Sequence, residues 1–387
     1  MQDLTALRRE IDRLDEEIAA LLCRRMDCSL AVAAYKAAHN LPVLNAAREA
    51  EVLEKVSAAC SPAGPGYGEA ASLVFSSMMD ASRALQHREN AGGEALRAAI
   101  AGADASLLAP DKARIVCAGC AGAYADEAAG RIFPLTREEA HRPRFVATFA
   151  DVCAAVRDGE ADYGILPVEN SSTGSVNEVY DLIMASRFSI VAAAEVPVRH
   201  CLVAPRDASL SSIRTVYSHH QGLSQCADFI AVRGWEARPY GNTATAARMV
   251  AELGDPTVAA ISSRRAGELY GLNILSENIQ SVPENCTRFI VIASRLAIPA
   301  DADKISLQFS LPHTTGSLYR VLARFAMAGL NLTKIESRPI RTGDFEYAFY
   351  LDFEGTVAHP GTLDLLCALS EEMPLFTFLG NYKELAD

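Results

Sequence analysis

Leu4, Leu7, Ile11, Leu14, Ile18 and Leu21 recur at alternating spacings of three and four, and neither proline nor glycine interrupts the chain before Pro42. Such a stripe specifies one long amphipathic helix rather than a strand or a loop. Over residues 3–39 at 1.5 Å per residue it spans roughly 55 Å. That is too long to fold back within a 90-residue monomer, so the apolar face calls for a second chain. Asn45 is placed to cap a second helix ending near residue 60. Ser61-Pro62-Ala63-Gly64-Pro65-Gly66 breaks it. A third helix is expected over 69–87, making residues 1–90 all-helical.

Further along the 387-residue chain the pattern changes. Residues 91–112 are rich in Ala and Gly and read as a linker. Over 113–296 short apolar runs (114–118, 163–168, 190–198, 201–204, 215–217, 258–261 and 289–293) alternate with helical patterns, which is α/β organisation with buried strands. Two lobes with a ligand crevice suit it. Over 303–387 strand, helix, two strands, helix and strand follow one another, with a turn at Thr342-Gly343-Asp344. That βαββαβ order is ferredoxin-like. The fold class is therefore multidomain: all-α, then two-lobed α/β, then α+β.

Lys and Arg total 36 against 48 Asp and Glu, a net charge of −12. This argues against a general nucleic-acid binder. No apolar run of about 18 residues suggests a membrane span, and no signal core follows the N-terminal charges. The ten cysteines lie mostly inside apolar patterns. Free thiols and a cytoplasmic location are expected. No Walker loop, G-x-G-x-x-G or H-E-x-x-H occurs, so neither cofactor nor metal is expected. Cys117-Ala118-Gly119-Cys120 is a C-x-x-C with no second pair at zinc-ribbon spacing.

Cations without a nucleophile mark the helical part. Arg25 and Lys36, eleven residues apart, share a helix face, with ~16 Å between them along the axis. Arg8 lies seventeen residues before Arg25. If both serve one small anion, Arg8 belongs to a partner chain. Ser82 and Gln86 share a face on the third helix, and Arg48-Glu49 opens the second. As a set these residues resemble the all-helical chorismate mutase family. The resemblance places Arg8, Arg25, Lys36, Arg48, Glu49, Ser82 and Gln86 in an active site shared across an intertwined dimer. There Lys36 and Gln86 would donate to the ether oxygen of chorismate and Glu49 would bind its ring hydroxyl. The family usually has Asp where Asn45 stands. A rearrangement of this kind needs a clamp and charge stabilisation, not a nucleophile.

Gly119-Cys120-Ala121-Gly122-Ala123-Tyr124, Glu169-Asn170-Ser171-Ser172-Thr173-Gly174, Ser218-His219-His220-Gln221 with Gln225, and Asn285-Cys286-Thr287-Arg288-Phe289 sit at strand ends. Together they resemble prephenate dehydratase, despite Cys120, Ala123 and His220 at variant positions. The resemblance gives Thr287 the central catalytic role. Glu169 and Asn170 would work beside it, and Ser171, Ser218, Gln225 and Thr243 would line the substrate cleft. In the last block Thr315-Gly316-Ser317-Leu318 and Glu336-Ser337-Arg338-Pro339 resemble the phenylalanine-binding ACT domain of these dehydratases. Gly316, Ser317, Leu318, Glu336, Ser337, Arg338 and Pro339 would hold the effector at a dimer interface. The resemblance thus implies conversion of chorismate through prephenate to phenylpyruvate, inhibited by L-phenylalanine, in a homodimer or larger homo-oligomer. An arogenate dehydratase with an impaired mutase part, or a sensor without catalysis, are the alternatives.

Overall fold

The structure, a computed structural model, describes residues 3–39, 41–90, 92–107, 112–137, 141–186, 188–340 and 347–385. The chain divides into two compact units. One comprises Met1–Gly102 with Leu307–Phe378, the other Ala103–Ser306 with Leu379–Asp387.

The long helix forms as its stripe requires: α1 runs Leu4–Ala38, with the Asp3 side chain capping its start. Asn45 caps α2 (Ala46–Cys60) by accepting from the Arg48 amide. Asparagine serves here as well as aspartate would. Helix α3 (Tyr67–Asn90) packs on both and carries the polar interior, burying Asp80, Ser82, Arg83, Gln86 and His87. Helix α1, by contrast, buries only Ala33. Leu4, Ile11, Ile18 and Leu21 of its stripe are 56–60% exposed. The expected linker is partly ordered as a fourth helix, α4 (Glu94–Ala101). Its Glu-Ala-Leu-Arg-Ala-Ala run is rich in helix formers, and Arg97 pairs with Asp364.

The second unit carries two sheets. β1 (Ile115–Ala118), α5 (Tyr124–Ile132), β2 (Arg144–Val146), α6 (Phe149–Arg157), β3 (Tyr163–Asn170), β4 (Gly174–Ser175), α7 (Asn177–Ala185) and β5 (Ser189–Pro197) begin one lobe. β6 (Cys201–Ala204), β7 (Thr215–Ser218), α8 (His220–Gln225), α9 (Ala227–Ala231), β8 (Glu236–Pro239), α10 (Thr243–Leu253), β9 (Val258–Ser262), α11 (Arg264–Leu269) and β10 (Asn273–Ser276) form the other. β11 (Cys286–Ala293) returns to the first. The expected strands are present. Edge strands β2, β8 and β10 carry no apolar run to announce them, because their residues are few, polar and partly exposed. Strands β3 and β5 are buried along most of their length and β11 from Phe289 onward, because helices cover both faces. All ten cysteines are free, and Cys117 and Cys120 are buried.

β12 (Lys304–Ser310), α12 (Ser317–Met327), β13 (Leu332–Pro339), β14 (Tyr347–Glu354), α13 (Pro360–Glu372) and β15 (Phe376–Tyr382) follow in the expected order. Their sheet runs β13-β14-β12-β15. The expected turn at 342–344 lies outside the described residues. Two features differ from the expected separate block. Residues 307–378 group with the N-terminal helices, because α12 and α13 pack on α3. A last strand, β16 (Glu384–Leu385), instead pairs in parallel with β5. The first sheet then reads β16-β5-β11-β3-β1-β2, with β4 on β3.

Candidate functional site

In the second unit the cleft between the two sheets holds a cavity of about 370 Å³. Its wall includes Asn170, Gln225, Thr243 and Thr287 from the sequence expectation, with Tyr124, Phe149, His200 and Gln221 added. The glycine motif wraps one side, where Gly122 has φ +84° and a Cβ would stand 2.9 Å from Ala266 Cα. Only glycine fits that crossing. The loop delivers the N-terminus of α5 to the cavity, and Asn242 and Thr243 deliver that of α10. Backbone N–H groups at such ends favour carboxylates.

Thr287 and Asn170 face one another across β11 and β3. The Asn170 side-chain nitrogen donates to Thr287 Oγ1 at 2.9 Å and to the Cys286 carbonyl at 3.2 Å. Its oxygen accepts from the Ser172 amide and hydroxyl and from the Thr173 amide and hydroxyl, at 2.7–3.2 Å. Four donors to one atom fix which end of the amide is oxygen. Thr287 is therefore an acceptor towards Asn170, and its own hydrogen is left to donate into the cavity.

The opposite lobe braces this network. Gln221 donates to Thr173 Oγ1 at 2.8 Å and Gln225 Nε2 to Ser172 Oγ at 3.0 Å. Gln225 Oε1 must then accept, so His200 Nε2 donates to it at 2.8 Å. Tyr124 closes the chain at 3.2 Å from His200 Nδ1. His200 is 2% exposed. Burial pushes its pKa down, against the Gln225 bond, and pushes the Tyr124 phenol well up. A neutral imidazole accepting a hydrogen bond from the Tyr124 hydroxyl, which keeps its proton, fits both. The sequence reading missed His200. Its one signal is a histidine just past the end of a buried strand, at the crossing between lobes.

Three of the expected residues do not border this cavity. Glu169 is not in the cavity wall. It is opposite Arg288 in the ladder, and strand alternation turns these two away from the face of Asn170 and Thr287. Ser171 accepts from the Cys286 amide at 2.9 Å and so shapes the loop rather than the cleft wall. Ser218 is fully buried and donates to the Ile261 carbonyl at 2.7 Å.

In the first unit the three helices turn Arg25, Lys36, Glu49, Ser82 and Gln86 inward. Arg25 donates to Ser82 Oγ at 2.8 Å. Lys36 donates to the Val43 carbonyl. Burial lowers its pKa, with Glu49 opposing and Arg83 reinforcing. Glu49 pairs with Arg83, a residue the sequence reading passed over. Gln86 is 7% exposed, and its Oε1 has no partner among the described residues. Arg8 and Arg48 are not brought to this cluster. Arg48 pairs with Glu51 on the surface, at 60% side-chain exposure. Arg8 is exposed on α1, about 25 Å along the axis from Arg25.

Gly316 caps α12 in the left-handed conformation, φ +78°. Ser317 is buried, 2.7 Å from the Thr314 hydroxyl. It borders a cavity of about 310 Å³ that also touches Glu49, Arg83, Arg324 and Glu372. Glu336, Ser337, Arg338 and Pro339 lie on edge strand β13 and do not border that cavity, and neither does Leu318.

Comparison with known proteins matches both parts of the chain to families. A chorismate mutase type II family model matches residues 7–87, and a prephenate dehydratase model matches 115–296. The bifunctional chorismate mutase/prephenate dehydratase of Aquifex aeolicus (strain VF5) is 31% identical over 384 residues, covering 99% of this chain and 98% of its own. The structure of prephenate dehydratase in complex with L-Phe from Arthrobacter aurescens is 30% identical, covering 70% of this chain and 89% of its own, with a TM-score of 0.62. A structure described as a novel type of quorum quenching acylase is 31% identical, covering 70% of this chain and 97% of its own, also at 0.62. With helical and cleft sites both present and a relative matched end to end, this chain belongs to the bifunctional chorismate mutase/prephenate dehydratase family.

Proposed function

We propose that the helical part rearranges chorismate to prephenate and that the cleft converts prephenate to phenylpyruvate, with Thr287 as the proton donor to the departing hydroxyl. In the first step an ether C–O bond breaks as a C–C bond forms, within one molecule. Arg25 and the partner's equivalent of the exposed N-terminal arginine would clamp the carboxylates. Lys36 and Gln86 would stabilise charge on the ether oxygen. The uncovered stripe of α1 supports a homodimer that brings the second arginine in.

In the second step the ring carboxylate leaves as CO2 and its bonding electrons enter the ring. The ring hydroxyl departs as water with a proton that Thr287 passes on and solvent water replaces on its Oγ1, and aromatisation drives the exchange. The observation that carries this reading is the donor hydrogen of Thr287, freed by Asn170 at 2.9 Å. Helix N-termini α5 and α10 would receive the carboxylates. The βαββαβ part would be an ACT domain that takes L-phenylalanine through Gly316, Ser317 and strand β13, and the protein would be cytoplasmic.

Thr287→Ala tests the assignment. Phenylpyruvate formation from prephenate should fall by about 10²–10⁴-fold, the usual span for a proton-transfer group, while chorismate consumption continues. Thr287→Ser keeps the hydroxyl and should retain a measurable part of the rate. Equal rates for the two variants would remove the hydroxyl from the mechanism.

A further inference from the structure

Arg83 stands one residue beyond Ser82 and three before Gln86 on α3, and nothing in the sequence motifs calls for it. It is 7% exposed. Three carboxylates surround its guanidinium. Nη1 donates to Glu49 Oε1 and Nη2 to Asp80 Oδ1. Nε lies 3.5 Å from Glu372 Oε2, on α13 near the other end of the chain. Glu372 is held in turn by Arg324 at 2.7 Å and by His87 Nε2 at 2.8 Å. Burial would raise the Glu372 carboxyl, but His87, Arg324 and Arg83 outweigh it and hold it at about 2. It is therefore a fixed anion at working pH.

The geometry points to Arg83 as a positioning residue for the mutase, clamping Glu49 and itself ion-paired with Glu372, so that α13 is a working part of the helical site. This rests on the reading of Glu49 as the group that binds the ring hydroxyl of chorismate. Glu49 lies in the first turn of α2, where an unheld side chain samples several rotamers. Arg83 engages Oε1 only. The other oxygen, Oε2, has no partner among the described residues and is left to accept a hydroxyl. Arg83 does not reach the substrate in this account. It acts through Glu49, and its own place is set by the C-terminal anion.

A buried arginine also glues helices together, so the test must separate that role from positioning. Chorismate kinetics are measured for Glu49→Gln, Arg83→Gln and the double variant, with prephenate turnover by the same preparations as internal control. Each single change should lower mutase kcat by about 10-fold or more, the scale of a hydrogen bond to a charged group. The double variant should be no worse than about threefold below Glu49→Gln, because two residues acting as one unit do not add. Arg83→Lys should recover part of kcat, and prephenate turnover should stay within twofold. Glu372→Gln, which weakens the pairing with Arg83 without substituting a residue of α3, should lower mutase kcat while leaving KM within threefold. Multiplicative losses in the double variant, or unchanged kcat in both Arg83→Lys and Glu372→Gln, would overturn the inference. If Arg83→Gln unfolds, the Lys and Glu372→Gln variants decide alone. An unaffected Glu49→Gln enzyme would instead overturn the reading of Glu49 beneath it.

Discussion

Asn170 makes six polar contacts from one amide, and four of them converge on its oxygen. Asn170→Asp is isosteric but replaces the donor to Thr287 with a second acceptor. The Thr287 hydrogen is then drawn to the new carboxylate instead of the substrate. Dehydratase kcat should drop by about 10²-fold or more, with mutase kinetics unchanged in the same assay. His200→Ala acts one step further out, leaving Gln225 Oε1 without its donor. A drop on the order of 10-fold in prephenate turnover is expected, visible in kcat before KM. Residue types and motifs made Thr287, Asn170 and Gln225 legible in the sequence. Ser218 and Ser171 carried the same polar signature, yet their hydroxyls satisfy the Ile261 carbonyl and the Cys286 amide. A motif marks where the backbone must be shaped as well as where chemistry happens, and composition does not separate the two.

The elements that periodicity defines were readable: α1 from its stripe, α2 from its cap, β3 and β11 from their unbroken apolar runs. Those that gain stability only from tertiary pairing were not. β16 is two residues long, yet it extends the sheet beyond β5. Its Glu384 meets Arg288, and also Lys304 at 2.8 Å, with all three side chains 10–15% exposed. Burial would raise the Glu384 carboxyl, but the two cations outweigh it and hold it below its ordinary value. Glu384→Ala removes the carboxylate from between the partly buried Arg288 and Lys304 and should cost roughly 3 kcal/mol of stability in the second unit. Because the folded-state value is depressed, this contribution is complete above the ordinary glutamate range near pH ~4.3. It fades as pH falls through the depressed value. Thermal melts of wild type and variant should differ at pH 7 and converge in acid. A difference that persists undiminished in acid would point to packing rather than charge.

For the whole molecule, the first turns of α1 matter most. An apolar stripe with Leu4, Ile11, Ile18 and Leu21 more than half exposed is costly to leave in water. The proposed second copy covers it. Ile11→Glu with Ile18→Glu should dissociate the dimer in sedimentation velocity and abolish mutase activity, while the cleft in the second unit goes on turning over prephenate. A mutase-active monomer would show that Arg8 is not needed across chains.

The central claim is that two separate sites act in series on one chain, and complementation tests it directly. Lys36→Ala and Thr287→Ala are each supplied with chorismate near pH 8, alone and then mixed, and phenylpyruvate is followed. The account predicts little product from either variant, prephenate accumulating with Thr287→Ala, and restored production in the mixture. Phenylpyruvate from Thr287→Ala alone, or a mixture as inert as its parts, would contradict it.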